Sequence, residues 1–340
     1  MARNLKQKFI GIDFSKLTFD ATIYGGEHAK FSNDTKGFEE FLSWTEQHIG
    51  ETPLSACLFC GENTGNYSTA LSDYLYVHSC TMWLESPLRI KRTIGLARGK
   101  DDKIDSAHIA RYAARNVEDA VAYEPNSSNI GALRKLFSRR ALLVSLRTAL
   151  VNSSKEAQVA SKQSKYDKAM KRLNDKEIER FTKDIECIEE MMRQLIKKDL
   201  KLNKAYQQIT SINGLGPINA IALITVTEAF TKYAANAKKL ACHAGVAPFK
   251  KESGTSIHSG THVSHLSNHT LKPLLTQAAL AAIRYNPKIS AYYQRLILKG
   301  EKSQVALNNV KNKLLHIVIA LIRKDEKFSL DYQPEARNNT

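Results

Sequence analysis

The sequence predicts an α/β N-terminal domain with a mixed sheet flanked by helices, a long-helix middle with a coiled-coil seam, and a mainly α C-terminal domain with a helix-hairpin-helix-like element. Three observations predict it. Over the first 125 residues short β-rich runs alternate with helix-spaced apolar residues; from Ile178 to Leu195 apolar residues recur in alternating steps of three and four; beyond residue 205 Gly214 and Gly216 separate two helical runs.

"KFIGID", "LTFDATIY" and "HAKFSND" read as three strands joined by brief turns, a meander. "TKGFEEFLSWTEQHI" then sets Phe38, Phe41, Leu42 and Trp44 at helical spacing, with Thr35 available as a cap. "LSACLFC" is a fourth strand, "NYSTALSDYLYV" a helix, "SCTMWLE" a fifth strand and "DSAHIARYAAR" a further helix. The order βββαβαβα is that of an RNase H-like fold. After the polar break "YEPNSSN" near residue 125, long helices follow, one carrying Ile178, Phe181, Ile185, Ile188, Met192 and Leu195. That seam suits an intramolecular helical hairpin or a dimerisation arm. "ITSINGLGPINAIALI" has the glycine turn of a helix-hairpin-helix, in which backbone N–H groups approach a DNA phosphate, and equally that of an ordinary helix–helix turn. Helical runs at "LKPLLTQAALAAI", "ISAYYQRLIL" and "VALNNVKNKLLHIVIALIRK" complete a C-terminal domain. The expected divisions are 1–125, 126–204, 205–328 and a frayed tail at 329–340.

The 340 residues include 50 Lys and Arg against 34 Asp and Glu, a formal charge of +16 that is too lopsided for a typical neutral metabolic enzyme. A polyanion is the simplest partner, because neutralising phosphates releases condensed counterions. The five cysteines are odd in number and scattered, which argues against an extracellular disulfide framework and for the cytoplasm. No stretch is read as the roughly 18 to 20 apolar residues that cross a bilayer, so no membrane partner is expected.

Four acids are singled out by where the elements put them. Asp13 ends the first strand, Glu62 ends the fourth, and Asp102 and Asp105 open a helix three residues apart. In an RNase H-like sheet the first and fourth strands are neighbours, so Asp13 and Glu62 converge, with Asp102 and Asp105 facing them from one helical turn. Clustered carboxylates repel unless cations sit among them, and hard oxygen donors suit Mg²⁺ or Mn²⁺. Taken singly each acid reads as a surface or capping residue; the constellation reads as a metal site. Asp101 competes with Asp102, and the spacing to Asp105 favours Asp102.

The runs "GIDFSK", "GENTGNY", "GKDDKIDSAHIARY", "INGLGPINAIAL", "AGVAPFKKESGTSI" and "VSHLSNHTLKPLL" together resemble the DEDD transposases of bacterial insertion sequences, described as bridge-RNA-guided recombinases and related to Piv-type invertases. The resemblance runs in order over nearly the whole chain. It implies a RuvC-like N-terminal domain, a coiled coil and a serine-bearing transposase domain that assemble composite active sites in a homo-oligomer, dimer or tetramer. By motif, Asp13, Glu62, Asp102 and Asp105 match the metal-binding acids, and Ser253 in "KESGTS" matches the serine that attacks DNA and forms a covalent phosphoserine. It also implies donor and target DNA, a structured guide RNA from the element, and a prokaryotic cytoplasm with the protein at the nucleoid while active.

Read from the residues alone, Ser253 is a weak nucleophile that needs a base or metal, in a Gly/Ser stretch that also reads as a flexible loop. Glu252 is adjacent, Lys100, Lys250 and Lys251 are available to phosphate, and Thr255, Ser256 and Ser259 are competitors. Where many members read S-K-x-G-x-x-x-L-R, this chain runs from Ser264 to Lys272 with few fixed arginines. His258, His262, His265 and His269 have helical spacing, but without an evident Cys or carboxylate partner zinc is not the expected reading. "CLFC" is read as core packing in a buried strand. The leading expectation is thus an Mg²⁺-dependent, serine-using DNA recombinase; the rivals are a RuvC-like nuclease resolving junctions by water attack and a non-catalytic nucleic-acid-binding protein.

Overall fold

A computed structural model describes residues 7–94, 102–125, 128–159, 165–231, 236–253, 257–263 and 268–329. The chain forms two compact units, 1–125 and 126–340, each taken by itself.

Unit 1 is a five-stranded mixed sheet in the order β3-β2-β1-β4-β5, built from β1 (Phe9–Phe14), β2 (Thr18–Ile23), β3 (His28–Ser32), β4 (Leu58–Glu62) and β5 (Thr81–Glu85). The first three strands form an antiparallel meander; β4 and β5 add in parallel beside β1. Alternation along each strand gives the sheet two apolar faces, as a sheet covered on both sides requires. On one face Ile10, Ile12, Phe19 and Phe59 pack under α1 (Thr35–His48) and α2 (Asn66–Val77) through Phe38, Phe41, Leu71 and Leu75. On the other, Leu58, Cys60 and Trp83 meet Ile90 of α3 (Pro87–Ile94) and Ile109, Tyr112 and Ala113 of α4 (Asp102–Arg115). This arrangement is compatible with an RNase H-like domain, and the expected order of strands and helices is present. Two local readings change. Asp34, not Thr35, caps α1, its carboxylate accepting the Gly37 N–H at 2.9 Å. The short amphipathic α3 stands between the fifth strand and the acidic helix, where no helix was expected; proline at its first position supplies a preset backbone.

In unit 2, α5 (Ser128–Val159) and α6 (Lys165–Lys198) form an antiparallel hairpin. Cross-links at Asn129–Asp199, Arg140–Glu189, Arg147–Thr182 and Ser154–Asn174 keep a constant register along it. Ile185, Ile188 and Met192 of the heptad seam are buried in the unit's own core, so within this chain the seam closes a hairpin. That core is one cluster reaching from Ile130 to Ile319, so packing continues through residues 204 and 205 into α7 (Leu200–Thr210), α8 (Pro217–Thr227), α9 (Ala237–His243), α10 (Leu271–Tyr285), α11 (Pro287–Leu298) and α12 (Ser303–Lys324).

A two-stranded antiparallel hairpin, β6 (Pro248–Ser253) with β7 (Ile257–Val263), interrupts these helices. The segment around Ser253, open to a loop reading in the sequence, is therefore a strand end. One described helix, α12, is long and apolar enough to cross a membrane, contrary to the reading that no stretch is. Val310, Leu314, Leu315 and Val318 on it are buried in the core, which explains its apolar character.

Candidate active site

The site in unit 1 follows from strand register. Parallel pairing of Ile12 with Gly61 leaves Asp13 and Glu62 as the next residues on two adjacent strands, a strand spacing of roughly 4.8 Å apart. Antiparallel pairing sets Asp20 opposite Asp13, and β4 pairs with β5 so that Glu85 is opposite Glu62. Cross-strand partners share a face, so Asp20, Asp13, Glu62 and Glu85 form one row across β2, β1, β4 and β5. The face is the one under α4: Gly11, two residues before Asp13, lies so close to α4 that a Cβ there would sit 2.2 Å from the Ser106 carbonyl and the Ala110 nitrogen. Glycine at this point lets the helix settle against the strand. Because Ser106 and Ala110 lie over Gly11 while Ala113 clusters with Leu58, α4 runs antiparallel to β1 and brings its first turn to the strand ends. Asp102 is its first residue and Asp105 lies one turn on.

The outer and inner members of the row differ. Asp20, only 6% exposed, is held by His28 and Lys30 at 3.3 Å each. His28 also contacts Thr22 at 3.0 Å, and Thr22 hydrogen-bonds Ser106 of α4 at 2.7 Å. Glu85, 8% exposed, accepts from the Ser86 N–H, from Arg89 at 3.0 Å and from the Tyr112 hydroxyl at 3.2 Å. The Tyr112 hydroxyl is pushed up to about 12 by burial and by the Glu85 charge. Both outer acids are thus neutralised from within the protein. Glu62 is half-buried, and its carboxyl is pushed above the usual range first by burial and then by the Asp105 charge, with Lys91 opposing. Burial and a like charge at Glu62 are conditions that a divalent cation relieves, and the nearby donors are all oxygen; among the described residues, no three of these side chains form a ready-made cation site.

Of the expected site residues, the structure brings Asp13, Glu62 and Asp105 to one end of the sheet, with Asp102 opening the same helix. Lys100 lies outside the described residues. For Asp102, Lys250, Lys251 and Ser253 the backbone alone is described: Lys250 and Lys251 lie within β6, and Ser253 is its last residue, paired with Ile257. The competitors Thr255 and Ser256 lie outside the described residues. His258 and His262 lie on β7, where a spacing of four separates them by roughly 13 Å, so they do not share a helical face. His265 lies outside the described residues.

The base of the β6–β7 hairpin is anchored on both sides. The Asn308 side chain donates to the Val246 carbonyl at 2.8 Å, and the Asn268 N–H donates to the His243 carbonyl at 2.8 Å. One turn along α12 from Asn308, Lys311 is only 8% exposed, and burial and then the Lys272 charge lower its ammonium's pKa. Sequence reasoning missed Asp20, Glu85 and Lys311. The first two were legible as acids in strands, but their burial and cationic partners were not.

Gly214 and Gly216 lie between α7 and α8 as expected, beside a shallow, open depression formed by residues 210–216. Gly214 has φ +108°, and a Cβ on it would meet the Ala282 backbone of α10 at 2.6 Å. Its absence of a side chain therefore serves helix packing. Gly216 precedes α8 with nothing near its missing Cβ. The C-x-x-C pair is core, as expected: Cys57 and Cys60 are buried, and burial raises both thiols.

Two family models match the chain, a DEDD transposase model of the IS110 type over residues 10–157 and the transposase IS116/IS110/IS902 family over residues 206–294. The chain is also similar to a pilin gene-inverting protein of Moraxella lacunata, 27% identical over 335 residues covering 95% of this chain and 98% of that protein. Its counterpart in Moraxella bovis is 26% identical over the same shares. An uncharacterized insertion element IS110 protein of Streptomyces coelicolor is 32% identical over 115 residues, 34% of this chain and 28% of that protein.

Proposed function

The chain belongs to the IS116/IS110/IS902 family of transposases, DNA recombination enzymes, and on that premise we propose that it cuts and rejoins DNA through serine attack aided by the carboxylates of unit 1. The observation that carries the reading is the strand register that makes Asp13 and Glu62 neighbours under the first turn of α4. Asp13, Glu62, Asp102 and Asp105 would hold Mg²⁺ or Mn²⁺. A divalent ion bound there supplies Lewis-acid polarisation of a phosphoryl oxygen.

The chain's own residues do the rest. Asp20, paired with Lys30 and contacted by His28, and Glu85, paired with Arg89, keep the ends of the row fixed. The hydroxyl of Ser253 attacks phosphorus: the Oγ–P bond forms, one P–O bond of the phosphodiester breaks, and the serine proton passes to the departing oxygen, directly or through a base. The phosphoserine retains the energy of the broken bond, so a strand's free hydroxyl attacks it, the bond to Oγ breaks, and DNA is rejoined. Lys250 and Lys251, on the same strand as the serine, would hold phosphate. The likeness to the inverting proteins along their full length extends the same chemistry to inversion between two sites. By the family resemblance, a structured RNA selects donor and target DNA and the enzyme works as a homo-oligomer.

The test is to trap a covalent protein–DNA adduct from denatured reactions. The adduct is expected with the unaltered chain, absent in Ser253→Ala and absent in Glu62→Gln. Cleavage that persists in Ser253→Ala supports water attack, and DNA processing that is unchanged in Asp102→Ala supports a non-catalytic binding protein. Sequencing RNA that co-purifies from cells holding the flanking DNA tests the guide.

A further inference from the structure

We propose that a cleft between α11 and α12 binds an unpaired nucleic-acid strand, its bases against an apolar floor and its phosphates against a basic rim. The cleft has a volume of about 1090 Å³. Helical spacing builds both walls. On α11, Lys288, Tyr292 and Arg295 follow at steps of four and three; on α12, Lys313, Ile317, Leu321 and Lys324 follow at steps of four, four and three. Each helix therefore presents an apolar centre with a cation at either end. Lys327 and Phe328, just past α12, add one more cation and one more ring, and Glu326 is the single carboxylate in the lining.

Five cations and one acid line this apolar surface. An apolar floor open to water costs free energy. The lysine above the ring is already drawn to it: Lys313 Nζ lies 4.9 Å from the Tyr292 centroid and Arg295 Cζ lies 5.4 Å from it. A ligand that covers this floor and complements the basic rim alternates anionic groups with flat apolar faces, which is the pattern of unstacked nucleotides. A duplex shows phosphates to such a site but hides its base faces, so it leaves the floor wet. Tyr292, half-buried and lining the cleft, is the stacking candidate. The proposal rests on the recombinase reading only in taking nucleic acid as the polyanion; it needs neither metal nor Ser253.

The test uses the full-length chain in EDTA with fluorescein-labelled oligo(dT), oligo(U) and a duplex of equal length, read by fluorescence anisotropy. Tyr292→Leu, which retains an apolar side chain, is expected to weaken single-strand binding about tenfold and duplex binding less than twofold. The double change Arg295→Gln with Lys313→Gln is expected to flatten the single-strand salt dependence by roughly 1.4 in log–log slope. Whichever of the two single strands loses more identifies the occupant as DNA or RNA. The proposal is overturned if variants that still melt like the parent bind single strands unchanged, if they lose duplex and single strand equally, or if Tyr292→Leu impairs binding of anionic vesicles or an acidic peptide and not of oligonucleotides. Because no cleavage is involved, failure here leaves the adduct test intact, and loss of the adduct leaves this binding intact.

Discussion

Gly214 and Gly216 sit two positions apart and answer to different constraints. Both are legible in the sequence as turn residues able to approach phosphate. Only packing separates them: Gly214 carries a left-handed φ and abuts the Ala282 backbone, whereas Gly216 faces open space. Gly214→Ala is accordingly expected to cost about 2 kcal/mol or more of stability in urea unfolding, through overpacking and backbone strain, while Gly216→Ala changes stability by less than about 0.5 kcal/mol. If Gly216→Ala weakens DNA binding without loss of stability, backbone approach to phosphate is the reason for that glycine. Glu62 makes the same point for charge. Its position at a strand end was readable, but the upward shift of its carboxyl comes from burial and from Asp105, 43 residues away in the chain. Such a group favours the folded state below the ordinary carboxyl range and loses that contribution as pH rises through its raised value. Glu62→Gln is therefore expected to melt no lower than the parent at neutral pH without divalent ions, and to lose the rise in melting temperature that Mg²⁺ gives the parent.

Among the elements, the junction of α6 with α7 shows how a local signal and a distant one combine. Asp199 caps α7, accepting from the N–H groups of Lys201 and Leu202 at 3.0 and 3.1 Å, a short-range pattern that sequence can suggest. It also accepts from Asn129 at the start of α5 at 3.0 Å, which only the hairpin's closure permits. That bond comes first, and the cap adds to it, in holding the Asp199 carboxyl below its ordinary value of 3.8. A depressed carboxyl contributes stability above its unfolded value and loses it as pH falls through the folded one. Asp199→Ala is expected to cost about 1 kcal/mol in urea unfolding at pH 7, with the gap to the parent narrowing as pH falls below about 4. The heptad seam of α6 was equally visible as a pattern, but a seam specifies an apolar partner and not whose partner it is. The β6–β7 hairpin was the hardest element to foresee, because its residues are mostly polar and include glycine, and its two short strands carry no clear periodic run.

At the scale of the whole molecule, the charge of +16 and the division near Pro125 are the two features that the composition and pattern announce. Unit 1 closes its own two apolar clusters, one on each face of its sheet. A fragment of residues 1–125 is therefore expected to unfold cooperatively by circular dichroism, and one that lacks a cooperative transition would show that its core needs unit 2.

Sequence by itself determined the alternation of strands and helices in unit 1, the helical character of the remainder, the basic charge that suits a polyanion and the position of Asp13 and Glu62 at the ends of neighbouring strands, because these follow from periodicity, composition and the position of a residue within its element. Only the tertiary structure decided that Asp20 and Glu85 are buried against cations, that a glycine serves packing, that the seam closes on its own chain, and that five cations ring one apolar cleft. Those properties depend on distances between residues far apart in the chain, and burial changes the energy of a charge or a missing side chain by amounts that no local pattern encodes.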